Sequence, residues 1–279
     1  LQLRRAESVA TAVDALRDGA SALAGGTELV PLVREGLVRA DTLVYVADAL
    51  PRGVEERGPV IRIGAGTTLA ELEVDPQIPA ALREACRLAA SPQLRNMGTI
   101  GGNLLQATRC WYWRLAYPCR LHGGERCHAR EGQHREHAIF ANDFCASAHP
   151  SDPAAALLAL GATLRTDRRE LSVAELYRLP DEANRETTTL AADELIVELD
   201  VPQPDASTYL KAMDRKRWAF ALVGVAAVRV GDERRAALAG VAPIPWLLED
   251  GFAAATPLPG TAYKVELAEA LVRRAFASL

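Results

Sequence analysis

The chain has 279 residues, 49% apolar and 24% charged, with a net charge of −4 and a pI of about 5.8. That is the composition of a globular protein with room for one large or two modest cores. The acidic balance argues against nucleic-acid or anionic-membrane binding, no apolar run nears the roughly 20 residues of a membrane span, and five cysteines are too sparse for a disulfide scaffold.

Ser8 caps a helix expected over residues 9–17, with Val9, Val13 and Leu16 on its apolar face and Gly19 as its stop. Residues 20–24 read as a short buried strand running into Gly25-Gly26-Thr27-Glu28, and residues 29–34 open a second helix. A strand, paired glycines and a helix start make an anion cradle: glycine lets the backbone approach a phosphate, and the amides there lack partners. Alone, the same residues also fit a plain tight turn. Strands follow at 42–46 and 60–65, then a capped short helix at 67–72 and a helix at 80–90. A second glycine turn follows at Gly98-Thr99-Ile100-Gly101-Gly102-Asn103. Two cradles in one chain suit the two ends of a pyrophosphate. Neither matches Gly-x-Gly-x-x-Gly or the P-loop pattern, which excludes Rossmann and P-loop readings.

Residues 104–150 hold four of the five cysteines (Cys110, Cys119, Cys127, Cys145) and all five histidines, His122, His128, His134, His137 and His149. The spacings, Cys-x8-Cys, Cys-x7-Cys and Cys-x17-Cys, fit neither a zinc ribbon nor a ferredoxin. Thiolates suit iron–sulfur clusters or zinc, so spacing leaves three readings open: a cluster, a zinc site shared with the histidines, or free thiols. His122, His128, His134 and His137 lie among Arg126, Arg130 and Arg135 and read as mostly solvated. Trp111, Tyr112 and Trp113 would shield a metal site or anchor the loop. So long a loop is improbable unless something orders it.

Ser151-Asp152 stands at the N-cap of an apolar helix over 153–160. A hairpin is expected at 162–165 and 169–171, then a capping box at Ser172-x-x-Glu175 and a connecting segment over 180–189. A second domain is expected from Leu190, with strands at 195–201, 209–213, 220–230 and 235–241 and a helix at 265–276. The fold class is α+β.

Ala24-Gly25-Gly26-Thr27-Glu28-Leu29, the run from Arg95 to Asn103, Ser151-Asp152, Asp193-Glu194-Leu195-Ile196 and Gly240-Val241-Ala242-Pro243 together resemble the FAD-binding medium subunit of the molybdenum hydroxylases. This is the family of xanthine dehydrogenase and carbon monoxide dehydrogenase. The insertion from Arg109-Cys110-Trp111-Tyr112-Trp113 through Cys145 resembles one branch, that of bacterial periplasmic aldehyde oxidase, with a related insertion in 4-hydroxybenzoyl-CoA reductase. In that branch four loop cysteines hold an extra 4Fe-4S cluster. The resemblance thus implies a cluster on Cys110, Cys119, Cys127 and Cys145.

It implies a two-part FAD-binding domain of the PCMH type over 1–180, with subdomains 1–50 and 51–180 and the insertion 104–150, followed by a small antiparallel sheet with helices over 190–279. The implied FAD contacts are Leu23, Ala24, Gly25, Gly26, Thr27, Glu28 and Leu29, then Thr99, Ile100, Gly101, Gly102 and Asn103, then Ser151, Asp152, Ile196 and Lys211. Lys211 would balance charge on the reduced flavin ring. No side chain is expected to act as acid, base or nucleophile. The implied partners are a molybdenum-pterin large subunit, a small subunit with 2Fe-2S clusters, and an external electron acceptor. The implied substrates of the complex are aldehydes or heteroaromatics. The other readings are a stand-alone FAD and iron–sulfur oxidoreductase and a non-catalytic zinc-binding scaffold. Leu1-Gln2-Leu3-Arg4-Arg5 shows no secretory signal, so a cytoplasmic location is expected, or a periplasmic one by export with a partner. The chain starts without Met, so preceding residues are expected, and connections near Asp75, Gly231-Asp232 and Thr256 are shorter than the resemblance implies.

Overall fold

Three sheets divide the chain, whose computed structural model describes all 279 residues. The first is parallel: β1 (Gln2–Arg5) and β2 (Ser21–Leu23) flank β3 (Thr42–Tyr45). The helix Val9–Arg17 crosses from β1 to β2, starts on a Ser8 capping box and buries Ala12, Val13, Ala15 and Leu16. The apolar spacing of 3.6 put those side chains on one face. β1 shows no alternation, because all four of its residues are exposed and only pairing with β3 makes it a strand.

The second sheet has five antiparallel strands. They are β4 (Val54–Arg57), β5 (Val60–Gly64), β6 (Thr163–Thr166), β7 (Glu170–Ser172) and β8 (Ile196–Pro202), in the order β4-β5-β8-β6-β7. β8 sits at its centre, so the boundary expected at Leu190 is corrected: the strand thought to open the second domain closes the first. Its Ile196, Leu199 and Val201 are buried, and the free edges of β5 and β6 needed a partner.

The third sheet begins at Ala206. It is antiparallel, in the order β12-β11-β10-β9, from β9 (Ala206–Ala212), β10 (Val223–Val230), β11 (Glu233–Ala239) and β12 (Trp246–Leu247). β10 is apolar on both faces. Val223, Val225 and Ala227 meet Ala268, Leu271 and Ala275 of the helix Tyr263–Ala277, while Ala226 and Val228 join the main core.

The helix Asp152–Leu160 packs between the second and third sheets, and all nine of its residues are buried. A helix apolar on every side has to be enclosed. The insertion is held to the third sheet by its far end. Ile139 and Phe140 amides both donate to the Val241 carbonyl, and Phe140 stacks on Trp246 at 5.0 Å. Fully buried Lys264 donates to the carbonyls of Glu136, His137 and Gly240 at 2.6–3.1 Å.

Candidate functional site: two adjoining cavities

The two glycine turns pack back to back and open on one cavity of about 540 Å³, a cofactor-sized space. Gly25 lies against the other turn, where a Cβ would overlap the Met97 carbonyl. Gly26 has φ +71°, a conformation glycine adopts without strain. Gly101 presses on Ala65 at the end of β5, whereas Gly102 is exposed toward the cavity.

The turns are not equivalent. The amides of Gly25, Gly26, Thr27 and Glu28 donate to no group of the protein. In the second turn Ile100 and Gly101 donate to the Thr67 and Ala65 carbonyls, Gly102 to Thr99 Oγ1 and Asn103 to the Thr99 carbonyl. The amides of the second turn are thus already paired within the protein. The first turn offers free donors, which is what an anion needs. The second offers a smooth wall of small residues.

Of the residues singled out from the sequence, Ala24, Gly25, Gly26, Thr27, Glu28 and Leu29 line the cavity. So do Thr99, Gly101, Gly102 and Asn103, and also Asp152, Ile196 and Lys211. Leu23, Ile100 and Ser151 do not. Leu23 lies behind Gly26, and Ile100 points into the core with no exposure. Ser151 is the helix cap, accepting from Ala154 N, and its hydroxyl donates to Asn103 Oδ1 at 2.5 Å.

Asp152 is the first helical residue, and its carboxylate faces away from the cap. It accepts from the Tyr209 hydroxyl at 2.5 Å and from Lys211 Nζ at 2.7 Å, and Lys211 also donates to the Leu88 carbonyl. Burial, together with the neighbouring carboxylate, pushes the Tyr209 phenol well above its usual range. The sequence did not reveal Arg109, Trp218 and Phe220 as cavity walls. The Arg109 guanidinium lies 4.8 Å from the Phe220 ring and pairs with Glu28 at 2.5 Å. Their only signal was two aromatics just after the basic run Arg215-Lys216-Arg217.

A second, small apolar cavity is lined by all four insertion cysteines, with Tyr112, Trp113, His128 and Phe144. All four are free thiols. Cys110, Cys119 and Cys127 each stand at the N-cap of a one-turn helix. Burial pushes the thiols of Cys110 and Cys145 up to about 11 and about 12. As it stands the cavity has little more room than one water. No three Cys, His, Asp or Glu side chains converge at single-ion distances. His137 is not solvated as expected. It is 2% exposed, edge-on to Trp111, with Nε2 3.2 Å from Cys110 Sγ. The two cavities adjoin at one peptide bond: Arg109 lines the first and Cys110 the second.

Residues 1–204 match the family model described as "FAD binding domain in molybdopterin dehydrogenase". The chain is 36% identical over 249 residues to the aldehyde oxidoreductase FAD-binding subunit PaoB of Escherichia coli, covering 83% of this chain and 77% of that protein. It is 37% identical over 94 residues, 32% of each chain, to the carbon monoxide dehydrogenase medium chain of Hydrogenophaga pseudoflava. Its fold matches a chain of reconstituted CO dehydrogenase from Oligotropha carboxidovorans with a TM-score of 0.75 at 23% identity, over 99% of this chain and 96% of that one. A glycine cradle with free amides, the family match over most of the chain and the shared α+β fold agree: the chain belongs to the family of FAD-binding domains of molybdopterin dehydrogenases, as the FAD-binding subunit of an oxidoreductase.

Proposed function

We propose that this chain is the flavoprotein subunit of a molybdenum-containing dehydrogenase acting on aldehydes or heteroaromatics. In this reading it binds FAD in the large cavity and a 4Fe-4S cluster on Cys110, Cys119, Cys127 and Cys145. It works beside a molybdenum-pterin large subunit and a 2Fe-2S small subunit, and delivers electrons to an external acceptor. The observation that carries the reading is the single cavity shared by both glycine turns, with four consecutive free amides on one side and the Asp152–Lys211 pair on another. The aldehyde assignment leans on the similarity to PaoB.

The chain's own residues bind and orient. The amides of Gly25 to Glu28 would take the pyrophosphate, and Gly102 would let it approach closely. Asp152, fixed by Tyr209, holds the Lys211 ammonium at the cavity wall, where it would balance negative charge on the ring. Bound FAD would supply exchange between one- and two-electron carriers, and a bound cluster would supply one-electron storage. The donor set fits a cluster: four soft thiols share one apolar cavity. A cubane spreads its thiolates over four irons, so single-ion spacing is not required. The cavity would have to widen to admit it.

The test is direct analysis of the purified chain for FAD, iron and acid-labile sulfide. The expected result is one FAD and four irons per chain, with the iron lost and FAD kept in the double variant Cys119→Ser, Cys127→Ser. Iron-free protein from an anaerobic preparation with active cluster assembly would sink the cluster. Absence of flavin would sink the whole reading. Copurification with two further subunits tests the partners.

A further inference from the structure

One carboxylate joins the two cavities. Glu28 ends the first glycine turn, and its side chain turns away from the free amides toward the insertion. Its two oxygens are held separately, Oε2 by Arg109 Nη2 and Oε1 by Arg114 Nη2, each at 2.5 Å. These arginines bracket Cys110. Arg114 also donates from Nε to the Thr108 carbonyl, and Cys110 N donates to Thr108 Oγ1. The turn presenting the Cys110 sulfur is thus closed on itself and clamped at both ends to the glycine cradle. The pairs are largely shielded from water, with the Glu28 side chain 15% and Arg114 16% exposed.

We propose that Glu28 is a positioning residue that couples the two sites, so that FAD binding and the placement of Cys110 form one linked equilibrium. The inference rests on the reading that FAD fills the large cavity. Two guanidiniums and one carboxylate leave one net positive charge at the end of the cradle, Arg109 in the cavity wall and Arg114 behind it, and this charge favours an anion there. An anion in the cradle fixes Gly25 to Glu28, which fixes the carboxylate, which fixes both arginines and the turn between them. Linkage is reciprocal: whatever orders the Cys110 turn must tighten FAD by the same factor. Removing the carboxylate leaves two like charges facing each other at the join, the costly way to break a buried ion pair.

The experiment uses the full chain, iron-free and reduced, with FAD itself as the probe. FAD affinity is read by flavin fluorescence, and alkylation of Cys110 is followed by mass spectrometry with and without saturating FAD. In the wild type, FAD is expected to slow Cys110 alkylation by at least about fivefold. In Glu28→Gln, alkylation should be fast and indifferent to FAD, although FAD still binds at higher concentration. Glu28→Asp should keep part of the response. Arg114→Gln alters the clamp from the insertion side, outside the cavity wall, and should lose the response too, even if Glu28→Gln folds poorly. Equal protection by FAD in the wild type and Arg114→Gln would overturn the coupling, as would wild-type protein that binds FAD with no change at Cys110. Failure of the wild type to bind FAD would instead sink the flavin reading, and the coupling with it.

Discussion

Asp152 and Lys211 meet 2.7 Å apart at the wall of the large cavity, with side chains 2% and 1% exposed. They come from different parts of the fold, the first turn of a buried helix and the first strand of the third sheet, at its edge. Lys211→Met leaves the carboxylate buried with only the Tyr209 hydroxyl. Losing one member of such a pair typically costs about 3–5 kcal/mol. Urea unfolding of the FAD-free chain should show a loss in that range. A change below about 1 kcal/mol would mean that the pair is solvated in solution.

The two glycine turns should respond oppositely to alanine. Gly25→Ala places a methyl on the Met97 carbonyl, and neither backbone can yield cheaply. It should lower the melting temperature by many degrees. Gly102→Ala meets only Thr99 Oγ1, at 3.1 Å, and lies in a helical segment where alanine is favoured by about 1 kcal/mol over glycine. It should leave stability unchanged or higher while weakening FAD binding at least about tenfold. Melting curves and a fluorescence titration separate the two effects.

His149 is 4% exposed, edge-on to Tyr177, and burial lowers its pKa from 6.5 to about 3. The unfolded chain takes up this proton below pH 6.5 and the folded chain does not. Stability is therefore fully present above that pH and falls as the pH drops toward 3. By about pH 4.5 the loss from this group should reach about 2.7 kcal/mol. His149→Gln should remove that part of the acid dependence. Denaturant midpoints for both proteins at neutral pH and near pH 4.5 measure the difference.

Lys264 fastens the far end of the insertion to the last helix through three carbonyls. Lys264→Met keeps most of the volume but leaves the buried carbonyls of His137 and Gly240, and the part-buried one of Glu136, without this donor. A cost of about 3 kcal/mol is expected, with each unmet acceptor contributing about 1 kcal/mol or more. Limited proteolysis should also cut residues 135–145 sooner than in the wild type. Unchanged proteolysis would show that Phe140 on Trp246 suffices as the anchor.

Local signals were reliable where one segment contains its own reason for folding. The Ser8 cap and the apolar face after it, the capped short helix at 67–72 and the Ser172 capping box were legible because the residues that make them lie within one or two turns of each other. β1 and β4 were not, since their side chains are mostly exposed and their identity comes from the strand beside them. β8 was recognised as a strand but given to the wrong sheet, because alternation marks a buried face without naming the neighbour.

The amino-acid sequence by itself determined the α+β class, the glycine turns and the clustering of thiols in one insertion, since each depends on residue types at short range. It also carried the resemblance that pointed to flavin. Only the tertiary structure decided that both turns face one cavity, that Asp152 is held by Tyr209 and Lys211, and that Glu28 is bound to Arg109 and Arg114. Those partners lie 57 to 86 positions apart along the chain. A charge or an amide has no preferred partner at that range until packing brings one within hydrogen-bonding distance and removes the water between them.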